Sequence, residues 1–138
     1  METKIESKTG RVNLPSETLY EFFTDLTRLN DYKDKLPADK ISDWEVSSDE
    51  LKCTVGGMAK VTLKIIERQP EAVKMQGEGM GVPFTFWAQI KNMNNTESAL
   101  KFTLKADMNF AIKMMAEKPI KESLDKLVDT ISQKTAIT

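Results

Sequence analysis

Apolar and polar residues alternate with a period of two from about residue 40 to Met108, and that alternation predicts most of the fold. Trp44 and Val46, then Leu51, Cys53 and Val55, then Ala59, Val61, Leu63 and Ile65 fall on one face. So do Val73 and Met75, then Phe84, Phe86, Ala88 and Ile90, then Leu100, Phe102, Leu104, Ala106 and Met108. The opposite face carries Lys52, Lys60, Lys64, Lys74, Lys91, Lys101 and Lys105, interleaved with threonines. One apolar and one Lys/Thr face is the pattern of an antiparallel sheet solvated on one side. The segments SSDE, GG, RQPE, GEGMG and NMNNTE separate the strands as turns. Six strands in a meander follow, preceded by a weakly alternating first strand over residues 2–12.

Pairing parity refines the register, because partners must share a face. A two-residue Gly56–Gly57 turn sets Cys53 opposite Lys60 and mixes the faces. A three-residue loop sets Val55 opposite Ala59, Cys53 opposite Val61 and Leu51 opposite Leu63, with a glycine in the left-handed position. The same test places Ile65 near Val73 across a short loop at Arg68–Pro70.

Helical spacing frames the sheet on both sides. Leu19, Phe22, Phe23 and Leu26 follow the start signals Pro15 and Ser16. Asp25 is placed to cap a second short helix containing Leu29 and Tyr32, and Pro37 closes the unit. After Met108 the period changes again. Ile120, Leu124, Leu127, Val128 and Ile131 form one stripe, with Lys121, Glu122, Asp125, Lys126 and Asp129 opposite. Ahead of it Phe110, Ile112, Met114 and Met115 point in several directions, and Pro119 either starts the regular helix or kinks a longer one.

Composition narrows the function. The chain has 138 residues, 30% charged and 40% apolar, which suits one domain over 1–138 with a substantial core. A net charge of −1 lacks the basic imbalance of a nucleic-acid surface. The single cysteine, Cys53, permits no internal disulfide and suits a reducing compartment. METKIESKTG holds no apolar signal core and no run is long enough to span a bilayer, so a cytoplasmic protein without stable membrane insertion is expected. There is no histidine, which removes the commonest general base and metal ligand. No metal site, no cofactor and no catalytic residue is expected. GEGMG lacks the lysine of a nucleotide loop and reads as a turn. Cys53 has no cationic neighbour to activate it and reads as an inert thiol.

Strand, two short helices, six-stranded meander and long C-terminal helix resemble a known arrangement. VNLPSETLYEFFTDLTRLNDYKDKLP (12–37) and VGGMAKVTLKIIE (55–67) are similar to segments of the START/birch-pollen-allergen-like superfamily, also called SRPBCC or polyketide cyclase/dehydrase-like. The resemblance covers essentially the whole chain. It implies an α+β helix-grip fold: a curved antiparallel sheet of about seven strands around a long C-terminal helix, with two short helices between strands 1 and 2. It implies an apolar cavity between sheet and helix, and no shared catalytic motif. Members acting as cyclases or hydrolases place polar groups in that cavity, whereas the inward positions here are apolar.

These readings converge on non-enzymatic binding or carriage of a small hydrophobic molecule: a lipid, isoprenoid or aromatic compound. The expected lining is Phe84, Phe86, Phe102 and Leu104 from the sheet, with Phe110, Ile112, Met114, Met115 and Ile120 from the helix, whose first turns must bridge the widest gap. Methionine suits such a roof because it repacks around varied shapes. The alternatives are a cyclase/dehydrase-like enzyme using Tyr32, Glu117 or Lys118, or a co-chaperone-like interaction module. Gly77 and Gly79 face inward, either as a mouth or as a bend. Trp87 faces outward among lysines, either anchoring a homodimer or other partner surface, or covered by lysine stems.

Overall fold

The structure is a computed structural model that describes residues 2–28, 30, 41–55, 59–79 and 81–136. Its strands are β1 (Glu2–Glu6), β2 (Gly10–Val12), β3 (Ile41–Val46), β4 (Glu50–Val55), β5 (Ala59–Gln69), β6 (Ala72–Gly79), β7 (Val82–Asn92) and β8 (Ser98–Asp107). Helix α1 (Ser16–Thr24) precedes β3, and helix α2 (Phe110–Ala136) follows β8. All strands form one antiparallel sheet in the order β1-β8-β7-β6-β5-β4-β3, with β2 also on β8. The meander is thus present as expected, and the fold is the helix grip.

The β4–β5 pairing follows the predicted register. Leu51 pairs with Leu63, Cys53 with Val61 and Val55 with Ala59, leaving three residues between the strands. The glycine assigned to the left-handed position lies outside the described residues, as do Leu29, Tyr32 and Pro37 of the second short helix.

Two expectations are corrected. Ile65 pairs with Met75, not Val73, whose partner is Arg68. A register shift between Ile65 and Glu67 is responsible: β5 spends one extra residue there, and Ile66 is left exposed. A bulge lets two residues oppose one and reverses the parity beyond it. It also turns Arg68 toward α1, where its guanidinium donates to the Thr24 carbonyl at 3.2 Å and pairs with Asp49.

The first strand is likewise two strands, making eight among the described residues. At the break, the Ser7 amide donates to the Phe102 carbonyl and the Phe102 amide donates to Ser7 Oγ, both at 2.9 Å. The Lys8 amide leaves the ladder and donates to Asp125 Oδ1 of α2 at 2.6 Å. Lys8 Nζ pairs with Asp129, and Lys121 Nζ donates to the Glu6 carbonyl at 2.9 Å. The interruption therefore latches the helix to the sheet edge.

Asp25 caps the turn that follows it, while the helix through Leu29 and Tyr32 that it was expected to cap lies outside the described residues. Asp25 Oδ1 accepts the Thr27 amide at 3.1 Å and the Thr27 hydroxyl at 2.5 Å, at the start of a 3₁₀ turn over residues 26–28. Those Thr27 bonds, with help from Arg28, lower its carboxyl pKa. Helix α2 runs unbroken through Pro119. Asn109 precedes it, and its Oδ1 accepts the Ile112 amide at 2.9 Å. Leu124, Val128 and Ile131 are buried against the sheet. The approach is close at β2, where a Cβ on Gly10 would collide with Val128 Cγ1.

Glu6 lies between Lys101 and Lys4 on β8 and β1, and these cations hold its carboxyl at about 2 against an ordinary 4.5. A carboxylate depressed on folding stabilises the protein above its unfolded pKa, and that contribution fades as pH falls through the folded value. Between pH about 4.5 and about 2, the wild type should therefore lose stability that Glu6→Gln lacks throughout. Parallel acid-denaturation curves for the two proteins over that window would contradict this.

Candidate functional site

Cross-strand partners arrange the inner face of the sheet in rows. One row runs Ile90–Leu100, and the next runs Val73–Ala88–Phe102. Then come Ile65–Met75–Phe86–Leu104–Ile5 and Leu51–Leu63–Gly77–Phe84–Ala106–Thr3. The last is Cys53–Val61–Gly79–Val82. Burial falls along this series. The first two rows are buried throughout, whereas Phe86, Leu104, Phe84, Leu63 and Leu51 are half-buried, and so is every member of the last row.

The helices explain the gradient. Helix α1 packs on β6 and β7, and α2 packs on β1, β2 and β8. The far corner of the inner face, on β4, β5 and the adjoining ends of β6 and β7, lies outside both footprints. Its described side chains are apolar or small, with Cys53 the most polar member, so it offers contact and shape rather than proton transfer. Burial pushes the Cys53 thiol pKa up, away from a reactive thiolate.

The nine expected lining residues divide into three groups. Phe84, Phe86, Leu104 and Ile120 are half-buried and pack against the core. Phe102 lies deeper, fully buried, stacked on Phe86 at 5.4 Å and met edge-on by Phe23 at 5.7 Å. Phe110, Ile112, Met114 and Met115 stand outward, with exposures of 71%, 37%, 69% and 79%. Helix geometry accounts for the last three, though not for Phe110, which shares the direction of the buried stripe. At about 100° per residue, the direction set by Leu124, Val128 and Ile131 leaves Ile112 and Met115 on the opposite side and Met114 on the flank. Glu117 is half-buried with Lys113 Nζ at 3.9 Å, and Lys118 is exposed. Tyr32 lies outside the described residues.

The inward glycine is filled from across the sheet. A Cβ at Gly77 would come within 2.5 Å of Phe84 Cζ and 2.6 Å of the Thr62 carbonyl oxygen. The Phe84 ring therefore lies over Gly77, a cross-strand use of an aromatic to cover a glycine. Thr3 was missing from the expected lining: it ends the Phe84 row, is buried, and its hydroxyl has no partner among the described residues. Its weak alternation with Ile5 was the one available signal. On the outer face, the Lys74 and Lys105 ammoniums lie 5.7 and 5.6 Å from the Trp87 ring centre. Among the described residues no group of three or more Cys, Asp and Glu side chains is placed to hold a metal. No helix there is long and apolar enough to cross a membrane.

Residues 9–136 match the family model for CoxG, a carbon monoxide dehydrogenase subunit. The chain belongs to this family. Its fold is that of the START/birch-pollen-allergen-like superfamily, as expected. A START superfamily protein from Mycobacterium smegmatis aligns with a TM-score of 0.74 at 13% identity, over 96% of this chain and 97% of that one. Norcoclaurine synthase from Thalictrum flavum, solved with dopamine and hydroxybenzaldehyde, aligns at 0.72 and 16% identity, covering 96% and 86%. A conserved protein from Geobacillus kaustophilus aligns at 0.69 and 14% identity, covering 99% and 95%. Among curated protein sequences, none matches this chain significantly.

Proposed function

We propose that this CoxG-family chain binds and carries a small hydrophobic molecule (a lipid, isoprenoid or aromatic compound) on the inner face of the sheet, at the corner that α1 and α2 leave open among the described residues. One observation carries the reading: the half-buried Phe86, Leu104, Leu63, Phe84, Val61 and Val82 lie on adjoining rows of the inner face and form an apolar floor that the described residues leave partly open. Mostly apolar concave surfaces of this kind are the usual setting for small-molecule sites. The fold supports it too, since its relative norcoclaurine synthase was solved holding two small aromatic molecules. The floor has no carboxylate or amine among its described residues, which favours carriage over acid–base catalysis. A single cysteine without a disulfide suits work in the cytoplasm.

Native mass spectrometry of freshly purified protein should reveal a co-purified hydrophobe. Leu104→Asp should weaken uptake of the probe 1-anilinonaphthalene-8-sulfonate at least about tenfold, a change of about 1.4 kcal/mol. Met115→Ala, on the exposed side of α2, should change stability by less than about 0.5 kcal/mol. Protein that carries no hydrophobe and takes up no probe would end the carrier reading.

A further inference from the structure

The first turns of α2 carry polar side chains where its distal turns are apolar. Since 18 residues make about five helical turns, Phe110 shares the direction of Val128, and Lys113 shares that of Ile131. Glu117 lies one turn beyond Lys113 on the same side, 3.9 Å from its Nζ. Val128 and Ile131 are buried, whereas Phe110 is exposed and Lys113 and Glu117 are half-buried. Near its start the helix therefore turns its sheet-facing side to a gap, and a lysine and a carboxylate project into it.

Contacts further along the helix locate what lies beneath. Lys121 reaches the Glu6 carbonyl, Asp125 accepts the Lys8 amide, and Val128 stands over Gly10. Helix and strand edge thus run side by side in the same direction. At about 1.5 Å per helical residue and about 3.3 Å per strand residue, Thr3 lies level with Met114, between Lys113 and Glu117. Thr3 is on the inner face and buried, and its hydroxyl meets no partner among the described residues. Its neighbours along the row, Ala106 and Phe84, have no side-chain acceptor to offer. Folding has taken this hydroxyl from water without replacing its bond, which is unfavourable until another group completes it.

We propose that the carried hydrophobe has one neutral polar end, an acceptor oxygen such as a carbonyl, held between α2 and β1 by Thr3 Oγ and Lys113 Nζ, with its apolar body along the Phe84 row. This rests on the carrier reading and adds the ligand's polarity and orientation. A few placed polar groups in a mostly apolar site are what orient a small molecule. Both groups here donate, the hydroxyl through its one O–H and the ammonium through any of three N–H bonds, so an acceptor complements them. Glu117 already balances the charge of Lys113, and a carboxylate head would meet it as a like charge, whereas a carbonyl would not. A plain hydrocarbon would leave both donors unpaired.

The test uses the full chain and three ligands that share a ring and differ in the head: naphthalene, 2-acetylnaphthalene and 2-naphthoate. Each competes with 1-anilinonaphthalene-8-sulfonate, read by fluorescence. The ketone should bind about tenfold tighter than naphthalene, the gain from two added hydrogen bonds. Thr3→Val and Lys113→Met should each cut that advantage to about threefold or less while leaving naphthalene within about twofold. Thr3→Val should also unfold at no lower urea concentration, because it removes an unpaired hydroxyl and keeps the shape. Lys126→Met, exposed on the outward side of α2, should leave the advantage unchanged. Equal binding of naphthalene and the ketone would overturn the proposal and leave carriage standing, as would tightest binding by the naphthoate or a ketone advantage that survives both inward substitutions. Failure of every compound, the probe included, would end the carrier reading and this proposal with it.

Discussion

Phe102→Ala should lower the unfolding free energy by about 3–5 kcal/mol, the range for emptying a buried phenylalanine site. The ring is fully buried and touches rings on two different elements, Phe86 of β7 and Phe23 of α1. The backbone on either side is fixed by the reciprocal bonds with Ser7, so the strand cannot collapse into the void. Little relaxation means most of the cavity penalty remains. Phe110→Ala is the matched control. It removes the same side chain from a site 71% exposed and should cost less than about 0.5 kcal/mol. Urea denaturation of both variants checks the pair, with unchanged m-values marking a pure stability effect. Comparable losses at the two positions would mean that the start of α2 is covered, and would overturn its placement outside the core.

That contrast also separates what was legible in the sequence from what was not. Period-two alternation through Phe102 and Leu104 identifies the inner face whatever the strands pair with, because side-chain direction is a local property. Loop parity then fixed Leu51 against Leu63, since a slip would have buried Lys60. The bulge after Ile65 was invisible for the same reason: two adjacent isoleucines satisfy either parity, and only the neighbouring strand decides which one leaves the face. The break at Ser7–Thr9 depends on Asp125, more than a hundred residues away, receiving the Lys8 amide.

The start of α2 was harder still. Apolar residues pointing all round a helix imply burial on every side, yet the pattern does not tell where the helix axis runs relative to the sheet edge. The helix packs on β1, β2 and β8 through its distal stripe, and its first turns point Ile112 and Met115 away from the core. Of the expected lining, the inward direction of the sheet residues was therefore readable, whereas on the helix only Ile120 packs against the core. The lysine cover of Trp87 was legible as one of two readings, because alternation puts Trp87 on the lysine-bearing face; the direct pairing with Lys74 is set by the strand register.

Gly77→Ala should cost about 1–3 kcal/mol, the usual range for overpacking, and should also weaken hydrophobe uptake. Two groups oppose the added methyl, and they respond differently. Phe84 Cζ, at 2.5 Å, belongs to a side chain and can swing; the Thr62 carbonyl oxygen, at 2.6 Å, belongs to the backbone of β5 and cannot. The β5–β6 pairing must open slightly, while the Phe84 ring moves off Gly77 into the space proposed for the ligand. Probe affinity should fall about threefold to tenfold, equivalent to about 0.7–1.4 kcal/mol. Adding Phe84→Ala should restore uptake, since the ring is gone, without restoring full stability, since the clash with Thr62 persists. Gly79→Ala serves as the reference. Its Cβ would meet Val61 Cγ2 at 3.5 Å and Phe84 Cε1 at 3.8 Å, ordinary contacts, so it should be tolerated within about 0.5 kcal/mol. If Gly77→Ala is as mild as Gly79→Ala, the ring does not cover Gly77. If it destabilises but leaves probe uptake intact, the displaced ring does not enter the binding space, and the ligand site must lie away from the Phe84 row.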